Sequence, residues 1–148
     1  TGVKGQAALL RLDRRDLPQL YTDGMHIVPH SDGTVAIGST SEREFADNST
    51  DDRLDDLLAR ACTAVPALVG AEVLQRWAGV RPRARSRAPL IGAWPGRDGH
   101  FVANGGFKIG FGVAPKVAEV MADLILSGTD NIPDPFRTDH LAPWVSGV

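Results

Sequence analysis

The sequence predicts an α+β chain: a mixed, largely antiparallel sheet with one inserted helix, then a C-terminal strand–turn–helix. Three observations carry this. Met25 to His30 and Thr34 to Thr40 read as strands around Ser31-Asp32-Gly33, a short loop whose glycine can take positive φ, so a β-hairpin follows. Leu54, Leu57, Leu58, Ala61, Cys62 and Val65 recur at helical spacing and form one apolar face. Phe101-Val102-Ala103-Asn104 runs through a glycine-rich turn into a second helical pattern.

The remaining elements follow in order. Gln6 to Asp13 alternates loosely and reads as a strand. Ser49 or Thr50 suits the cap of the first helix, Asp51 and Asp52 suit the positive end of its dipole, and Pro66 stops it. Cys62 on that apolar face reads as a small core residue rather than a reactive thiol. Val73 to Val80, with Trp77, reads as another strand. Phe101 to Asn104 reads as a short buried strand, followed by the turn Gly105 to Gly112. The second helix is expected from about Ala114 to Ser127, with Pro115 near its first turn, Val117, Val120, Met121, Leu124 and Ile125 inward, and Gly128 as its end. From Thr129 on, with Pro133, Pro135 and Pro143, the chain reads as an extended strap. A strand and helix of this kind normally belong to a larger sheet, which the sequence does not contain.

Composition narrows the function classes. With 148 residues, 43% hydrophobic and 23% charged, the chain is globular. A formal net charge of −2 gives no bulk pull toward nucleic acid or membranes. No run reaches the roughly 20 apolar residues of a membrane span. The single cysteine excludes an internal disulfide and fits a reducing, cytoplasmic compartment. There is no signal-peptide pattern, and a start at Thr1 without methionine fits an origin inside a longer product or a removed tag.

Chemistry can reside in three places. In Trp77-Ala78-Gly79-Val80-Arg81-Pro82, an arginine held by a following proline is a fixed fork suited to a carboxylate, and Gly79 admits close approach to the backbone. Alone, such an arginine is more often a structural ion-pair partner. The turn Gly105 to Gly112 ahead of a helix favours an anion or developing negative charge, although in isolation a tight structural turn between strand and helix is the commoner explanation. It matches neither Gly-Lys-Ser/Thr nor Gly-x-Gly-x-x-Gly. In an extended chain Arg81, Arg83, Arg85 and Arg87 share one side; a nearby acidic surface explains them as well as a polyanion does, and no aromatic platform for nucleic acid accompanies them. His26, His30, His100 and His140 lack metal-ligand spacing, so no metal is assigned, and no Ser–His–Asp pattern stands out.

Taken in order, these segments resemble the D-amino-acid oxidase, glycine oxidase and sarcosine oxidase superfamily of flavoenzymes. The resemblance runs from about Val3 to Ser127. It rests on Val3-Lys4-Gly5-Gln6, on His26-Ile27-Val28-Pro29 with Asp32-Gly33 and Ile37-Gly38-Ser39-Thr40, on Gly79-Val80-Arg81-Pro82, on Pro89-Leu90-Ile91-Gly92, and on Asn104 to Gly112. It implies a substrate domain over residues 1–96, the C-terminal strand–helix of an incomplete FAD-binding domain over 97–128, and a tail over 129–148. It implies that Arg81 and Lys108 bind the substrate carboxylate. Gly79, Gly105, Gly106, Phe107, Lys108, Ile109 and Gly110 fall where the chain passes the flavin. His26 falls where these oxidases carry a substrate-lining tyrosine, a departure, as are Ala84 and Ser86 after Arg81-Pro82.

The activity implied is oxidation of the C–N bond of an amino acid or secondary amine to an imine, with no catalytic acid–base residue required if the amine arrives neutral. FAD is expected to be non-covalent, because Cys62 lies on the earlier helix. The dinucleotide fingerprint is absent from this sequence, so the missing N-terminal FAD-binding domain is an expected partner. The chain alone is expected not to hold FAD tightly, to be inactive, and to be capable of self-association. The alternative from another class is a stand-alone, non-catalytic module that binds an anionic ligand or an acidic partner protein through Arg81 and its neighbours.

Overall fold

The computed structural model describes residues 2–141; Thr1, the His140 side chain and residues 142–148 of the expected strap lie outside the described residues. The chain forms two compact units, Val3–Val80 and a second from Arg81 onward that includes Gly2.

The first unit holds a five-stranded sheet in the order β2-β3-β4-β1-β5. Its strands are β1 (Gly2–Arg11), β2 (Leu20–Thr22), β3 (Met25–Pro29), β4 (Thr34–Gly38) and β5 (Glu72–Pro82). The β1–β4, β2–β3 and β3–β4 pairs are antiparallel. The expected hairpin is present, with Val28 opposite Ala36 and Gly33 at φ +83°. Helix α1 (Asp52–Ala64) covers one face, burying Leu54, Leu57 and Ala61 against Met25, Ile27, Val35 and Ile37. The N-cap is Asp51, whose carboxylate accepts from the Arg53 N–H, rather than Ser49 or Thr50. Burying a Leu or Ile side chain here contributes about 1.5–3 kcal/mol. Cys62 is partly buried against this core, as expected.

The second unit holds β6 (Leu90–Ala93), β7 (Phe101–Asn104) and α2 (Gly110–Ser127). The sequence reading missed β6 and took β7 as buried. β7 pairs antiparallel with β6 in a two-stranded sheet, and Phe101 remains 40% exposed because this small sheet offers it cover on one side only. Val120, Met121, Ile91 and Ile132 form the core, while Ile125 faces outward. Gly128, at φ +71°, closes α2 in the left-handed conformation, its N–H bonded to the Leu124 carbonyl. The strap is not wholly extended. It forms 3-10 turns at Asp134–Phe136 and Asp139–Leu141, and the buried Thr138 hydroxyl donates to the Ala93 carbonyl at 2.5 Å.

Helix α2 begins four residues before the expected Ala114, so Gly110 and Gly112 are helical rather than part of the loop. Pro115 therefore lies inside the helix. It leaves the Phe111 carbonyl without an intrahelical partner, which is tolerated where Phe111 is 99% exposed. The arginine run is also not extended throughout. The Arg87 N–H bonds back to the Ala84 carbonyl and Arg87 takes φ +63°, so the chain turns and Arg87 leaves the line of Arg81 and Arg83.

Candidate functional site

The second unit brings the Arg81-Pro82 segment and the glycine turn together. The Phe107 N–H donates to the Pro82 carbonyl at 3.2 Å, and Arg83 forms an antiparallel bridge with Gly106. Arg81 is half-buried at the end of β5. The turn is built locally. Asn104 Oδ1 accepts from the Gly105 N–H at 2.7 Å, Gly105 takes φ +76° and Phe107 takes φ +46°. The Ile109 N–H then bonds to the Gly106 carbonyl at 2.9 Å and hands the chain to α2. A positive φ at an aromatic residue costs about 1–2 kcal/mol, so the surrounding contacts must impose it.

The glycines divide into two kinds. A Cβ on Gly106 would lie 2.7 Å from the Gly110 Cα, and one on Gly105 would lie 3.2 Å from the Ala84 Cβ. Those two are required by the chain's own close packing. A Cβ on Gly79 or Gly110 would meet no heavy atom within 4 Å. Internal crowding does not explain these two, and each leaves its flank open to another body.

Two properties give the turn chemical reach. Ile109 caps α2 without any side-chain hydrogen bond, so the N–H groups of the first helical turn point outward unsatisfied by side chains. They make a positive helix end. Beside it lies a cleft of about 440 Å³, walled by Pro82, Ile91, Phe107, Val113, Val117 and Met121. That volume is within the range of small-molecule sites, and the lining is mainly apolar. Two cations flank Phe107: the Arg83 guanidinium carbon is 5.9 Å and the Lys108 Nζ 5.8 Å from its ring centroid. Lys108 and Ile109 are exposed.

His26 belongs to the first unit. Its ring is exposed, with Nδ1 2.9 Å from Gln19 Nε2 and its centroid 4.7 Å from that of Tyr21. His30 Nδ1 lies 3.2 Å from Thr34 Oγ1. Among the described residues, no three His, Cys, Asp or Glu side chains group to hold a metal.

Sequence reasoning missed a buried polar network in the first unit. Lys4 is 2% exposed, Gln6 0% and Glu42 7%. Lys4 Nζ lies 3.4 Å from Asp51 and 3.7 Å from Glu42. Gln6 Nε2 donates to Glu42 at 2.9 Å and to Asp51 at 2.7 Å, and its Oε1 accepts from the Asp51 N–H at 2.8 Å. The Thr40 hydroxyl also donates to Glu42, and Arg53 donates at 2.8 Å. Burial alone would raise the Glu42 carboxyl, but the bonds from Thr40, Gln6 and Arg53 and the charge of Lys4 hold it below the ordinary range. The Gln6 bond does most to lower Asp51. The signal was a lysine and a glutamine two apart in an otherwise apolar strand. A polar cleft of about 560 Å³ adjoins this network, but its Arg53 and Arg60 are already paired with Glu42 and Asp23.

The second unit thus joins the Arg81-Pro82 segment, the glycine turn and a helix N-terminus without a side-chain cap beside one mainly apolar cleft. The chain belongs to the FAD-dependent oxidoreductase family, whose pattern it matches over residues 1–124. Glycine oxidase from Pseudomonas putida is 36% identical over 135 residues, covering 90% of this chain and 37% of that enzyme. The crystal structure of glycine oxidase from Geobacillus kaustophilus aligns with a TM-score of 0.78 at 30% identity, over 92% of this chain and 38% of that one. Iminodiacetate oxidase from Chelativorans sp. BNC1 shares the fold, with a TM-score of 0.81 at 22% identity over 93% of this chain and 39% of that one. The chain thus spans a little over a third of the length of the curated relatives it matches. Among the described residues no helix is long and apolar enough to cross a membrane.

Proposed function

We propose that this chain is the substrate-side part of an enzyme that oxidises the C–N bond of a small amino acid or secondary amine to an imine, with FAD as its non-covalent cofactor. One observation carries the reading: the glycine turn, clamped to the Arg81-Pro82 segment, ends at an uncapped helix N-terminus beside an apolar cleft of about 440 Å³.

The residues present fit a flavin. The open flanks of Gly79 and Gly110 leave room beside the backbone, and the cleft can take part of a flat ring. When bound, FAD supplies the hydride acceptor. The backbone N–H groups at Gly110, Phe111 and Gly112 would stabilise the negative charge that accompanies reduction. Arg81, with Lys108 as a second cation, would hold the substrate carboxylate and so aim its α-carbon. His26 would line the substrate site. Phe107 and Ile109 would line the flavin side of the turn, and Gly105 and Gly106 would give it its shape.

We assign residues 1–96 to a substrate domain, 97–128 to the strand–helix of an FAD-binding domain and 129–148 to its tail. The remainder of that domain would come from the portion by which the relatives exceed this chain. Ile109, Phe111, Ile125 and Leu126 are 49–99% exposed, and this supports cover by another body, either that domain or a second copy.

Gel filtration of the 148-residue chain mixed with FAD tests the incompleteness. No flavin spectrum is expected to elute with it. Co-expression with a dinucleotide-binding N-terminal portion from a relative is expected to yield a yellow complex. Stoichiometric retention by the chain alone would overturn the reading, as would failure of the two portions to hold flavin together.

A further inference from the structure

We propose that Arg83 is a specificity-determining residue that holds a second carboxylate, so that this site takes amines bearing two acidic groups. The assignment rests on the amine-oxidising reading above and names the substrate class of that same site.

Of the arginine run, Arg81 and Arg83 precede the turn in which the Arg87 N–H bonds the Ala84 carbonyl. Arg81 and Pro82 end β5, and Arg83 is bridged to Gly106, so the backbone stays extended through all three. Spacing by two puts both arginines on one face, about 6.6 Å apart along the chain. Burial follows the same alternation: Arg81 and Arg83 are half-buried, and Pro82 between them is exposed.

Gly106 stands opposite Arg83, and directly opposed residues share a face. It has no side chain to meet Arg83, whose guanidinium lies instead against the next residue, Phe107. Phe107 takes φ +46°, which removes it from the strand pattern. Its side chain is also a wall of the apolar cleft. Arg83, 5.9 Å from the ring centroid, therefore stands beside that cleft, as does Lys108 Nζ at 5.8 Å.

A single carboxylate is held by one guanidinium fork with a second cation in support. Arg81 and Lys108 would already supply both. Arg83, one strand repeat further along, matches a second carboxylate on a short carbon chain. Three cations around one apolar wall keep the local potential positive and draw in an anionic substrate. A neutral amide of the same shape forfeits the charge-assisted bond. Aspartate and glutamate have the required form, and asparagine and glutamine are their uncharged counterparts. The competing role for Arg83 is to brace the Phe107 ring by stacking on it.

The test uses the flavin-loaded enzyme of which this chain forms part. It compares kcat/KM for aspartate against asparagine and for glutamate against glutamine, with both enantiomers of each. The native sequence is expected to favour the acids about tenfold. Arg83→Gln is expected to erase that preference and Arg83→Lys to keep most of it. A bracing role would lower acid and amide alike. An unaltered ratio in Arg83→Gln, or a native preference for the amides, refutes the assignment, while oxidation of glycine or alanine leaves the oxidase reading standing. An enzyme that oxidises no amine removes both. The isolated 148-residue chain gives a readout without turnover. Succinate is expected to shift the Phe107 ring resonances at concentrations about tenfold lower than propionate, a difference absent in Arg83→Gln. Equal titration by the two acids contradicts a second carboxylate subsite, whatever the flavin content of the variants.

Discussion

Gly106 and Gly110 touch each other across the turn, yet they answer different demands. Gly106 faces the Gly110 Cα where a Cβ would need 2.7 Å, whereas Gly110 has an open flank. Gly106→Ala is therefore expected to cost about 1–3 kcal/mol through overpacking, read as a lower urea midpoint. Gly110→Ala is expected to leave the stability of the chain unchanged or slightly raised, because alanine is the better helix former. It should nevertheless weaken flavin loading in the assembled enzyme. Equal destabilisation by both substitutions would remove the distinction between packing and cofactor room. In the sequence these glycines look alike. A residue without a side chain does not reveal whether its space is used from within the chain or kept for something outside it.

At the scale of elements, the Lys4–Gln6–Glu42–Asp51 network fastens β1 to the start of α1. The Lys4 N–H bonds the Glu42 carbonyl at 2.9 Å and the Glu42 N–H returns to Lys4 at 2.8 Å, so side chains and backbone act together. Glu42 and Asp51 both titrate lower in the folded chain than in the unfolded one. On acidification the unfolded chain therefore takes up protons first. The stabilisation is complete above the ordinary carboxylate range and is lost progressively below about pH 4. Urea midpoints measured between pH 7 and pH 3 are expected to fall for the native sequence. Glu42→Ala is expected to cost about 3–5 kcal/mol at neutral pH, since it leaves Lys4 with a single carboxylate in the interior. It should also flatten the acid limb. Parallel pH profiles for the two proteins would contradict a role for this carboxylate.

The same scale shows what was legible beforehand. The hairpin was, because alternation and Gly33 act locally on adjacent residues. So was the end of α2 at Gly128. The start of α2 was not: Gly110 and Gly112 are poor helix formers and no capping side chain marks the boundary, so bonds such as Val113 N–H to the Ile109 carbonyl decide it. β2 and β6, of three and four residues, are too short for a period to register and owe their form to partners distant in sequence. Arg81 and the turn were read as separate candidates. The bond from Phe107 to Pro82 that joins them spans 25 positions, and no local pattern predicts it.

For the whole molecule, the proposed place of this chain within a longer enzyme would account for the apolar surface that stays open. β5 keeps Val73, Leu74, Trp77 and Val80 each 36–39% exposed, and α2 leaves Phe111 and Leu126 almost uncovered. A chain that completes its own core does not usually leave this much aromatic and aliphatic surface in contact with water. Relatives that are more than twice as long have additional chain available to cover it. Under the proposed function, the Arg81 segment and the turn would form one part of a site that further chain completes.

Steady-state kinetics of Arg81→Ala in the flavin-loaded enzyme tests this account most directly. The predicted result is a rise of about a hundredfold in KM for carboxylate-bearing amines, with little change for plain amines of the same size. An equal loss for both classes would contradict it, because the guanidinium would then be holding the protein together rather than the substrate.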